Sequence, residues 1–177
     1  MRIRPAHPSE APALAHLGER LWRETYTGLI PASNLEKHLA KTFGPGRQAA
    51  ELADPACLTL VLEQGETLLG YALLRPGPPP TGDGSCHFAK PLEVVRFYLE
   101  ASLHGSGAAA RLMGAVLEEA LARGHDGVWL QVWERNARAI RFYAKAGFSD
   151  AGETTFQVGE QVDRDRLLVH GLMIRSL

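Results

Sequence analysis

The stretch from Arg96 to Phe148 constrains the fold most. A strand-like run, Val94-Val95-Arg96-Phe97-Tyr98-Leu99, leads into the turn His104-Gly105-Ser106-Gly107-Ala108-Ala109, which opens a helix. Over residues 107–123 apolar residues recur at helical spacing, with Leu112, Met113, Val116, Leu117, Ala120 and Leu121 facing inward. Gly124 ends that helix. Residues 128–133 then read as a strand, and residues 136–146 as a helix stopped by Gly147. Strands alternating with amphipathic helices in this way need a sheet that the helices cover.

The flanking sequence supplies the rest of such a sheet. Ile3-Arg4-Pro5 reads as a short first strand, and Ser9 as the cap of a helix running to about Glu24, with Leu14, Leu17, Leu21 and Trp22 on one face. Gly28 and Pro31 break that helix. A second helix starts at Ser33 or Asn34 and runs to about Leu52, interrupted at Gly44-Pro45-Gly46. Residues 58–62 and 67–74 form an antiparallel hairpin around Gln64-Gly65-Glu66. Residues 75–84, with Pro78-Pro79-Pro80, read as a surface loop, since a linker here would leave a first domain too small for its own core. Phe156-Gln157-Val158 and Leu167-Leu168-Val169 read as two closing strands joined by a polar turn.

Composition narrows the function classes. The 177 residues, 45% hydrophobic, suit one domain spanning 1–177. With 19 basic and 20 acidic side chains, the chain lacks the basic excess of a nucleic-acid binder. No apolar run approaches the roughly 18 residues of a membrane span. The start, Met1-Arg2-Ile3-Arg4-Pro5-Ala6, lacks the apolar core of a signal peptide, so a cytoplasmic location is expected. Cys57 and Cys86 have no metal-ligand spacing and read as ordinary thiols; no metal is expected.

The glycine turn carries chemistry. At a helix N-terminus the first backbone N–H groups lack intrahelical partners and the helix dipole is positive, so a diphosphate fits. Gly105 and Gly107 allow close approach, Ser106 offers a hydroxyl, and Ala108 and Ala109 keep the helix start clear. A tight strand-to-helix connection also needs glycine, so the turn alone leaves both readings open. The spacing is not that of a dinucleotide fold. Farther on, Asn136, Ala139 and Tyr143 share one helical face; Asn136 reads equally as a simple N-cap and Tyr143 as a half-buried aromatic.

Both motifs, in this order, resemble the GNAT family of N-acetyltransferases. His104-Gly105-Ser106-Gly107-Ala108-Ala109 is similar to the family's pyrophosphate motif, Gln/Arg-x-x-Gly-x-Gly/Ala, with His104 in place of the usual cation or amide. Asn136 to Phe148 matches Asn-x-x-Ala-x-x-x-Tyr-x-x-x-Gly-Phe in full. The resemblance implies an α/β (α+β) fold, with a mixed, mostly antiparallel twisted sheet flanked by helices and a splayed central strand pair that binds CoA. It implies acetyl-CoA as co-substrate. Phe97, Tyr98 and Leu99 would take the pantetheine like an added strand, residues 104–109 the diphosphate, and Asn136 the carrier's opposite side. Tyr143 matches the proton donor to the departing thiolate.

The implied reaction is direct acyl transfer. An amine with a pKa near 10.4 is neutral in only about one molecule in a thousand at pH 7, so a base or desolvation must help. Glu93 is the candidate base, sharing side-chain parity with Val95, Phe97 and Leu99; the other reading is a salt-bridging carboxylate, with Arg96 as partner. Trp22, Glu24 and Tyr26, with Trp133 at the end of its strand, are candidates for the acceptor groove, since aromatic and acidic groups suit a cationic amine. The expected acceptor is a small amine or polyamine. A protein N-terminus or lysine is the alternative acceptor, and a non-catalytic acyl-CoA sensor the alternative of another class. The resemblance leaves a homodimer open.

Overall fold

The computed structural model describes residues 1–44, 46–80 and 87–173. Pro45, the end of the 75–84 loop and Cys86 lie outside the described residues.

Seven strands form one sheet: β1 (Arg2–Pro5), β2 (Leu58–Gln64), β3 (Thr67–Pro76), β4 (Pro91–Leu99), β5 (Gly127–Trp133), β6 (Ser149–Val158) and β7 (Gln161–Gly171). Their order is β1-β2-β3-β4-β5-β7-β6, antiparallel except between β4 and β5. That parallel pair requires a crossover, supplied by α4 (Ala108–Ala122). Helices α1 (Ala11–Tyr26), α2 (Ala32–Phe43) and α3 (Arg47–Ala53) precede β2, and α5 (Ala137–Lys145) follows β5. Among the described residues no helix is long and apolar enough to cross a membrane.

The strands' two-residue period sorts the core into two layers. Leu60, Ala72, Leu74, Val94, Val128 and Leu130 pack against Leu112, Met113 and Val116 of α4 and Tyr143 of α5. Val61 and Tyr71, on the other face, pack against Leu14, Leu17 and Leu21 of α1. A third cluster joins α1 and α2 through Trp22, Leu35, Leu39 and Phe43.

Several sequence expectations are corrected. Ser9 does not cap the first helix: it lies in a 3-10 turn, Pro8–Glu10, where the His7 ring accepts its N–H and Glu10 accepts the His7 N–H. The first helix runs on to Tyr26. Leu121 points outward at the helix end rather than into the core. β3 continues through Arg75 and Pro76, residues expected in a loop. β6 and β7 are far longer than their apolar segments suggest. Arg166 on β7 joins Asp150 (2.7 Å) and Glu153 (3.2 Å) on β6, so cross-strand ion pairs continue the ladder where a polar turn was expected.

Candidate active site

The sheet splits where the site forms. β4 and β5 pair only at Pro91–Gly127, Leu92–Val128 and Glu93–Trp129. Beyond that the strands part, and residues 94–99 keep only β3 as partner. The β3–β4 ladder also slips at this point: Leu74 faces Val94 and Leu73 faces Arg96, leaving Val95 as an extra residue. Such a bulge bends a strand and increases its twist. A cavity of about 650 Å³ opens at the split, reaching from Gly105 past Phe97 and Tyr143 to Asp165.

At one end lies the glycine turn. Gly105 and Gly107 have φ of +78° and +81°, and a Cβ on either would meet nothing within 4 Å. Backbone conformation, not crowding, selects glycine there, and the space beside it is open. In the first turn of α4 the N–H groups of Ala109 and Ala110 have no intrahelical acceptor, which leaves donors and a positive dipole end for an anion. His104, Gly105, Gly107 and Ala109 line the cavity; Ser106 and Ala108 do not. Ser106 serves the turn itself, donating to the Leu103 carbonyl (2.7 Å) and accepting the Ala108 N–H (3.3 Å), while Ala108 is core. Arg138, on the first turn of α5, donates to Nδ1 of His104 at 2.9 Å. Burial and then that guanidinium lower the His104 pKa, so the ring is neutral and the turn's cation is Arg138.

Across the cleft, Asn136 caps α5 by accepting the Ala139 N–H at 3.1 Å. Tyr143, two turns on, is packed by Phe97, Phe142 and Phe148 yet faces the cavity. Burial holds its hydroxyl protonated well above the ordinary phenol range, and Tyr26 adds to the effect. Phe97 stacks on Phe142 at 5.6 Å, tying β4 to α5.

The bulge corrects the expected parity of Glu93. Glu93 faces Arg75 in the ladder and Arg96 faces Leu73, so Glu93 shares a face with Arg96 and Tyr98, not with Phe97 and Leu99. Its carboxylate pairs with Arg75 at 2.6 Å rather than with Arg96. Arg96, 4% exposed, instead bonds Glu51 at 2.5 Å and the Thr42 carbonyl at 3.2 Å, and lies over the Phe43 ring. It thereby pins the cleft strand to α2 and α3.

The far end of the cavity is aromatic and acidic. Trp22 stacks on His38 at 4.2 Å and touches Tyr26 at 4.3 Å, and Tyr26 meets Trp133 at 5.9 Å. Burial lowers the His38 pKa to about 4, so this ring is neutral. Asp163 and Asp165 of β7 complete the wall. Burial, then Asp163 and Glu134, push Asp165 up to about 7. Burial and then Asp165 push the Tyr26 hydroxyl up to about 12, which the Asn136 side chain opposes. Glu24 lies outside the cavity lining, its carboxylate held by Arg20 at 3.1 Å.

Known proteins share this fold. Residues 18–148 match the model of the acetyltransferase (GNAT) family. The chain belongs to the GNAT acetyltransferase family. An uncharacterised N-acetyltransferase of Mycobacterium tuberculosis strain H37Rv is 31% identical over 165 residues, 93% of this chain and 99% of the relative. The PaiA N-acetyltransferase of Thermoplasma acidophilum, solved with coenzyme A, superposes with a TM-score of 0.77 at 18% identity, covering 97% of this chain and 98% of that one. The ribosomal-protein-alanine N-acetyltransferase of Brucella melitensis has a TM-score of 0.64 at 21% identity, covering 97% and 100%. At these identities the structures share the fold with this chain.

In this GNAT enzyme the structure gathers Trp22, Tyr26, Glu93, Phe97, Tyr98, Leu99, His104, Gly105, Gly107, Ala109, Trp133, Asn136 and Tyr143 around one cavity. It leaves out Glu24 and the side chains of Ser106 and Ala108. Sequence reasoning missed Arg138, His38, Asp163 and Asp165. The alternation Asp163-x-Asp165-x-Leu167 carried a period-two signal for the last two, hidden by reading the segment as a turn.

Proposed function

We propose that this enzyme transfers an acetyl group directly from acetyl-CoA to a small primary amine, polyamines included. The observation that carries the reading is the parting of β4 from β5, which leaves the 94–99 backbone open to the cavity opposite Tyr143. The residues fit the carrier. The amides of Gly105, Gly107, Ala109 and Ala110, with Arg138, offer a diphosphate seat, and Phe97, Tyr98 and Leu99 offer peptide groups on the β5 side, left unpaired there, to pantetheine amides. Asn136 closes the opposite side. The carrier supplies a thioester, an acyl group already activated for attack.

Glu93, through a water, takes the proton that the acceptor amine must lose, and Arg75 holds its carboxylate in place. The neutral nitrogen forms the new C–N bond as the C–S bond breaks. Tyr143 hydrogen-bonds the departing sulfur and supplies its proton. The second proton, lost by the nitrogen as the amide forms, restores the Tyr143 hydroxyl, while Glu93 returns the first to solvent. With a phenol near 10 and a thiol near 8.5, full transfer is uphill by about 2 kcal/mol even before burial raises the tyrosine, so the hydrogen bond forms first. A small amine suits the acceptor end because a buried carboxylate and aromatic rings line it.

The test is release of CoA from acetyl-CoA with polyamines, amino acids, aminoglycosides, and lysine or N-terminal peptides. Turnover with small amines is expected. Turnover confined to peptides would overturn the acceptor assignment, and tight acetyl-CoA binding without turnover would favour the sensor.

A further inference from the structure

Asp165 is a buried carboxylate with no cationic side chain paired to it among the described residues. It is 6% exposed, lines the acceptor end of the cavity, and among the described residues its side chain has no hydrogen-bond or ion-pair partner. The backbone fixes it there: in the sheet it lies between Trp133 of β5 and Thr154 of β6, and strand alternation turns it inward with Leu167. A lone carboxylate in such a place costs stability. A cation entering the cavity would offset that cost.

The surroundings are arranged for one. The groups facing Asp165 are Tyr26 from α1, Trp133 and Glu134 from the end of β5, and Asp163 from β7. None is cationic. Arg164 is engaged by Glu134 at 3.2 Å, Arg135 lies over the Trp133 ring, and His38 is neutral. Trp22, Tyr26 and Trp133 offer ring faces of the kind that hold ammonium groups.

We propose that Asp165 binds the ammonium of a linear diamine that is not acetylated, and thereby selects acceptors carrying two positive charges. A carboxylate beside an ammonium stabilises the protonated form. The reacting nitrogen must give up its proton, so Asp165 serves the nitrogen that stays charged. Arrival of the cation in turn favours the ionised carboxylate. The inference rests on the acetyltransferase reading above and adds a residue and a charge requirement to it.

The experiment compares kcat/KM for diaminobutane and butylamine in the wild-type enzyme and in Asp165→Asn, with CoA affinity as the check on folding. The wild-type enzyme is expected to favour the diamine about tenfold or more, and the asparagine variant to lose that preference through a raised KM. Equal use of the two amines, or a preference that survives the substitution, overturns the proposal while leaving acetyl transfer intact. If neither amine is acetylated, the reading of activity fails instead. Calorimetric titration of diaminobutane into the CoA-loaded protein then decides: binding abolished in Asp165→Asn supports the proposal, and absent or unaltered binding overturns it.

Discussion

Arg138 on α5 donates a hydrogen bond to Nδ1 of His104 at 2.9 Å, joining α5 to the glycine turn across the cleft. The histidine stands where the family motif carries an arginine or glutamine, and its own charge is suppressed by burial and by Arg138. Arg138→Ala is therefore expected to weaken CoA binding about tenfold, with the deficit shrinking in high salt, because a charge-assisted contact at an exposed rim is screened. His104→Ala should cost less. Calorimetry at two ionic strengths measures both; unchanged affinity in the arginine variant would remove it from the diphosphate site.

Tyr143→Phe is expected to lower kcat about a hundredfold while CoA affinity changes little. The ring packs against Phe97, Phe142 and Phe148, contacts that phenylalanine keeps, and the hydroxyl makes no hydrogen bond among the described residues. Stability should stay the same or rise slightly. Steady-state kinetics with a parallel thermal melt separates the two effects.

Glu51→Ala leaves the Arg96 guanidinium buried without its carboxylate. Breaking a buried pair costs about 3–5 kcal/mol, and the remaining Thr42 carbonyl contact places this case near the lower figure. The variant should unfold at lower denaturant with an unchanged slope. A loss below about 1 kcal/mol, the range of surface pairs, would mean that Arg96 is not held by Glu51 in solution.

Asp165 gives a stability change of known sign with pH. Its native pKa, about 7, lies above the ordinary aspartate value, so the folded state holds a proton that the unfolded chain releases near pH 4. Stability from this group is complete below pH 4 and is lost as pH rises to 7. Asp165→Asn should thus be more stable than wild type above pH 7, by roughly 2–4 kcal/mol, with the gap closing toward pH 4. Denaturant titrations at both ends of that range check it. A stabilising substitution that also spoils diamine selection would be a trade of stability for function.

The element order was readable because each element carried its own period. Val116 and Ala120 mark a helix, and Leu60, Ala72 and Leu74 mark strand faces. The turn at Gly105 and Gly107 and the series Asn136, Ala139, Tyr143 were readable because their chemistry is local. Glu93 was misplaced because one extra residue, Val95, reverses strand parity, and a bulge leaves no mark in the hydrophobic pattern. Asp165 was missed because the strand holding it is built on ion pairs such as Arg166–Asp150, which look like loop composition. The partnership of Arg138 with His104 joins residues 34 positions apart, a contact only the folded cleft creates.

Mass spectrometry of both protein and amine after mixing the enzyme with acetyl-CoA and diaminobutane would decide whether the β4–β5 cleft performs direct transfer. The expected result is monoacetylated diamine, free CoA and an unmodified protein, with product formation slowed in Tyr143→Phe. Unmodified amine across the whole acceptor panel, or an acetyl group retained covalently on the protein during turnover, would contradict it.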